Sequence, residues 1–146
     1  MKKRILSFLI IIISCTCKAQ SNDNPALEKI IDNFFSIYEK NVSTALDTIF
    51  SYADKNVHGA LPYIKDTLAG TIKADGGKYS GHELIVKKYA TPSYCFYSYL
   101  IKYPIRPMRF NFTFYKPEDK WVMVNFSFDS NIGSEITELG KIDHVK

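Results

Sequence analysis

Between Met108 and Phe128 the chain reads MRFNFTFYKPEDKWVMVNFSF, and side-chain character alternates at every position on both sides of a central Pro-Glu-Asp turn. A period of two is what a pleated strand imposes, because successive side chains point to opposite faces. Met108, Phe110, Phe112 and Phe114 fall on one side of the first arm, against Arg109, Asn111, Thr113 and Tyr115 on the other. In the second arm unbroken alternation sets Val122, Val124, Phe126 and Phe128 against Trp121, Met123, Asn125 and Ser127. The stretch reads as a β-hairpin with one wholly apolar face, which needs cover, and one mixed face, which does not.

The preceding residues supply helices that could be that cover. Asn24 can cap a first helix with Pro25 at its favoured first position, and Leu27, Ile30, Ile31, Phe34, Phe35 and Tyr38 recur at helical spacing. Ser43 can cap a second helix running to about Asp54, and a third starts near Pro62 and ends at Asp75-Gly76-Gly77. From Tyr79 onward the composition turns β-branched and aromatic: seven of the ten tyrosines lie between Tyr79 and Tyr115. Strands are expected at 79–89, 94–103, 107–116 and 120–129, with turns at 91–93, 104–106 and 117–119. Connections that short make neighbouring strands antiparallel. The fold class is α+β, with three N-terminal helices on one face of a curved four-stranded antiparallel meander. Ser134, Ile136 and Leu139 suggest a final helical turn or two.

The amino terminus, MKKRILSFLIIIISCTCKAQ, has a cationic start, an apolar run and small residues near Ala19. That is the pattern of a signal peptide over 1–19, leaving 20–146 as one exported domain, periplasmic or extracellular. The run Ile12-Ile13-Ser14-Cys15 also resembles a lipoprotein box, in which case acyl chains on Cys15 would anchor the protein to a membrane. Removing the leader changes the charge: of nineteen basic residues, Lys2, Lys3, Arg4 and Lys18 leave with it, so fifteen remain against fifteen acidic ones. A neutral mature chain with no Gly-rich phosphate loop gives no reason to expect nucleic acid or a nucleotide cofactor. Between Lys87 and Lys120 basic residues prevail, the pattern of solvated strand edges, with an anion-binding surface as the alternative. Only Cys95 remains beyond the leader, among aromatics in a strand, where a small buried hydrophobe is the expected role.

The order of helices and twisted meander, with the Tyr79-Ser80-Gly81 entry and the hairpin FTFYKPEDKWVMVNFSFD, resembles small secreted bacterial members of the nuclear transport factor 2-like superfamily. The resemblance implies a cone between helices and sheet, which in the superfamily's enzymes holds a pocket with an inward acid or histidine. Here the inward hairpin positions are all hydrocarbon, and no catalytic residue carries over. Tyr38, Phe110, Phe112 and Phe126 are the candidate lining of an apolar pocket. A non-catalytic binding or interaction module for a small apolar ligand or a protein partner is therefore the first functional expectation. The alternative is a small isomerase or lyase using His82 and a pocket tyrosine such as Tyr38. His58, His82 and His144 are scattered, with no metal-ligand spacing.

A last expectation concerns the outer face of the sheet. Tyr97 and Tyr99 share a strand face, as do Tyr115, Trp121 and Met123 on the hairpin. If those faces coincide they form an aromatic surface of the kind enriched at interfaces, suited to a homodimer through the open sheet face.

Overall fold

The structure, a computed structural model, describes residues 24–143, with side chains described as far as Thr137. The segment expected to be a leader, with Cys15, and His144 lie outside the described residues. Asn24 opens α1 (Pro25–Tyr38) as expected: its side-chain oxygen accepts from the amides of Ala26 and Leu27, and Pro25 occupies a position where no N–H is needed. Leu27, Ile31, Phe34, Phe35 and Tyr38 make its buried stripe. The second helix, α2 (Val42–Phe50), is capped by Asn41 and not by Ser43. Asn41 has the extended backbone a cap requires, and its side chain reaches the Thr44 amide at 2.9 Å.

Where the sequence suggests a connection there is a short helix, α3 (Lys55–Gly59), because Asp54 accepts from the amides of Asn56 and Val57 and so starts a new turn. Next comes α4 (Leu61–Thr71), which widens into a π-helical turn, Ile72–Gly76, and stops at Gly77, whose φ of 85° suits glycine. The strands β1 (His82–Thr91), β2 (Tyr94–Ile101), β3 (Met108–Tyr115) and β4 (Val122–Asp129) pair antiparallel in chain order as an open sheet. A fifth helix, α5 (Ile132–Asp143), is longer than the turn or two expected and begins two residues before Ser134. Among the described residues no helix is long and apolar enough to cross a membrane.

The helices cover one face of the sheet. Phe34 of α1 packs edge-on to Phe112 at 5.4 Å, Phe50 of α2 meets Phe126 at 5.7 Å, and α4 packs on α2. Met108, Phe110, Phe112 and Phe114 are all buried there, as their alternation requires. The second arm departs from it. Thr113 pairs with Asn125 but Phe114 pairs with Met123, so Val124 is an extra residue in β4. Such a bulge reverses the faces beyond it. Met123 is consequently fully buried, while Val122 and Val124 are half-buried. The cause lies outside the hairpin: on the outer edge of β4 the Met123 amide donates to the Tyr52 carbonyl at 2.7 Å, and its carbonyl accepts from the Asp54 amide at 3.1 Å.

The basic stretch of the sheet is largely paired. Lys102 bonds Glu83, Arg106 bonds Asp75, Lys87 bonds Glu28, and Arg109 holds both Asp129 and Glu135. Lys116 sits over the ring of Trp121, which is half-buried against the core. Cys95 is buried, and burial pushes its thiol up to about 11, so it is a packing residue with little thiolate.

Candidate functional sites

Beneath the hairpin the space is occupied. Phe110 and Phe112 lie 5.6 and 5.2 Å from Phe126, and Phe34 and Tyr38 close on them from α1. Tyr38, Phe110, Phe112 and Phe126 are thus brought together, but as a packed aromatic core. A buried hydroxyl pair lies beside these rings, Tyr38 to Tyr103 at 2.6 Å. Burial, and then its tyrosine neighbour, pushes the Tyr38 phenol up, so it holds a proton it has little tendency to release.

Between α1 and the entry to β1 there is open space. A cavity of about 590 Å³ is bounded by Asp32 and Phe35 of α1 and Glu39 just after it, by Lys78 and Tyr79 before β1 and His82 at its start, and by Lys102 just beyond β2. The chain enters β1 through Gly81, at φ 121°, while the Ser80 amide and Gly81 carbonyl pair with Lys102 at 2.9 and 2.8 Å. This entry turns His82 toward α1, where its ring lies against Phe35. Nδ1 of His82 is 2.7 Å from the Tyr79 hydroxyl. Burial depresses the His82 pKa; Asp32 pulls it up and Lys102 pushes it further down. The Tyr79 phenol is raised to about 12, first by burial and then by Glu39. The roles in this bond follow the imidazole tautomer: with Nδ1–H donating to the phenol oxygen, the other ring nitrogen keeps its lone pair free to accept a proton. The tyrosine that meets His82 is therefore Tyr79, three residues before it in the sequence, and not Tyr38.

A second hollow, of about 450 Å³, lies between α2 and α4 and is mostly hydrocarbon. Val42 and Leu46 line it from α2, and Ala69 and Ile72 from α4 and its π-helical turn, with Lys65 and Lys73 at its edge. Sequence reasoning missed it. Its signal was the run Lys65, Ala69, Ile72 and Lys73, which recurs at helical spacing on one face.

The open face of the sheet has a different composition from the expected one. Tyr97 pairs with Phe112 and Tyr99 with Phe110, and both tyrosines point toward the helices. Tyr97 is buried and its hydroxyl meets that of Tyr89 at 3.0 Å; Tyr99 packs at a steep angle against Phe35 and edge-on to His82. Met123 is turned inward by the bulge. Of the five proposed interface residues only Tyr115 is exposed, beside Tyr94 at 6.2 Å, with Trp121 half-buried. The two aromatic rows do not coincide, because strand pairing sets Tyr97 and Tyr99 opposite inward phenylalanines. Polar side chains fill the centre of the outer face, where Ser98 bonds Asn111 at 2.7 Å.

Among the described residues no three His, Cys, Asp or Glu side chains gather as a metal would need. Comparison of the chain with protein-family models, with curated proteins and with solved structures finds no match.

Proposed function

We propose that this is an exported, non-catalytic binding module of nuclear transport factor 2-like architecture, and that it holds a small apolar ligand. The observation that carries the reading is the hydrocarbon-lined hollow between α2 and α4, of a size typical of ligand pockets. The aromatic packing under the sheet supports it too, since proton abstraction needs a titratable group within reach of a bound substrate and no carboxylate is among the buried side chains of the described residues. Binding of an uncharged solvatochromic dye to the mature protein tests this. Enhanced emission that is lost in Ala69→Trp, a bulky ring added at an exposed lining position, supports the reading; unchanged emission in that variant sinks it.

The cavity between α1 and the entry to β1 favours a second reading, a small isomerase or lyase. His82 stands at its wall, uncharged and oriented by Tyr79, as a proton-transferring group would be. Exchange of the α-protons of small ketones with deuterated solvent, present in the wild type and absent in His82→Gln, would establish it; equal rates would remove it. A homodimer through the open face would now rest on Tyr94 and Tyr115, and sedimentation as a strict monomer at high concentration would exclude it. Mass spectrometry of the exported protein separates cleavage after Ala19 from acylation at Cys15.

A further inference from the structure

We infer that the hollow between α2 and α4 takes a single-chain amphiphile with a monoanionic head, a fatty carboxylate. The inference rests on the binding reading above and goes beyond it to the class of ligand. Most of the lining surface is aliphatic, from Val42, Leu46, Ala69 and Ile72, with Asn41 and Ser43 as its uncharged polar members and no ring on which a flat ligand would stack. A flexible alkyl chain can follow such a surface, gaining from each methylene buried. The stripe from Lys65 to Lys73 runs along α4 and its π-helical turn for about 12 Å, a linear track more than a round cup.

Charge decides the head group. None of the residues lining the hollow is acidic, and two are lysines. Lys65 is already held by Asp47, at 2.6 Å. No ion pair engages Lys73 among the described residues, and its side chain is exposed at the edge of the hollow. The local balance is therefore a single uncompensated positive charge at one end of an apolar track. That matches a monoanion at the end of a chain. A dianionic phosphate would leave one charge unanswered, and an uncharged lipid would leave Lys73 unused.

The test is calorimetric titration of the mature protein with laurate and with dodecan-1-ol, each below its aggregation concentration. Wild type, Lys73→Gln and Ala69→Trp are compared. Laurate should bind about five-fold more tightly than the alcohol, the worth of one partly solvated ion pair. Lys73→Gln should remove that difference without altering alcohol binding, added salt should weaken laurate alone, and Ala69→Trp should abolish both. Equal affinities in the wild type would overturn the anionic assignment while leaving an apolar-ligand module standing. Failure of both probes to bind would overturn the two together, and laurate binding that survives Ala69→Trp would place the ligand elsewhere and overturn the proposal.

Discussion

The imidazole of His82 lies flat on the phenyl ring of Phe35, their centroids 3.7 Å apart and their planes 10° from parallel. This contact joins the first strand to the first helix, and the burial that comes with it favours the uncharged ring. With the folded pKa below the ordinary 6.5, the unfolded chain binds more protons in the interval between the two values. The site's contribution to stability is complete above pH 6.5 and is lost as the pH falls through the folded value. Urea midpoints measured down a pH series should therefore fall less steeply below pH 6.5 in His82→Gln than in the wild type. Parallel curves would show that His82 keeps its unfolded pKa.

Tyr38 and Tyr103 share one buried hydrogen bond, and removing either hydroxyl strands the other. Tyr38→Phe and Tyr103→Phe should each cost about 1–3 kcal/mol, the penalty for an unsatisfied buried polar group. The double variant should cost clearly less than the two together, since replacing both hydroxyls leaves nothing unpaired. Additive losses in a denaturation cycle would mean that water satisfies the remaining hydroxyl.

The bulge at Val124 makes opposite predictions from unbroken alternation. Met123→Ala opens a cavity in the core and should cost about 2–5 kcal/mol. Val124→Ala removes a half-buried side chain and should cost about 1 kcal/mol. Chemical denaturation of the two variants decides between the registers, and the reverse ranking would restore the regular strand.

Arg109 ties the last helix to the sheet. Its guanidinium bonds Asp129 at 2.9 and 3.0 Å and Glu135 in α5 at 2.5 and 2.7 Å, and this pairing holds the Glu135 carboxyl below its usual range. Arg109→Gln should speed amide exchange in α5 at low salt while leaving exchange in β2 and β3 unchanged, because α5 loses its ion pair to the sheet whereas Arg109 and Asp129 stay joined as backbone partners of β3 and β4. Equal protection of α5 in both proteins would mean that other contacts hold it.

What could be read along the chain was whatever neighbouring residues settle among themselves. Asn24 and Pro25 start α1 because cap and first turn are adjacent. Met108 to Phe114 face inward because alternation and a greasy face agree, and the meander follows from turns too short for any other connection. The tertiary structure decided what depends on distant partners. Met123 turns inward because Tyr52 and Asp54 hold its outer edge, more than sixty residues back in the chain. Tyr97 and Tyr99 lie under the sheet because pairing sets them opposite Phe112 and Phe110, and one strand's alternation cannot say which of its faces is covered. His82 found Tyr79 and Phe35, and Lys73 an apolar hollow, because a site is a relation between elements, whereas periodicity describes one element at a time.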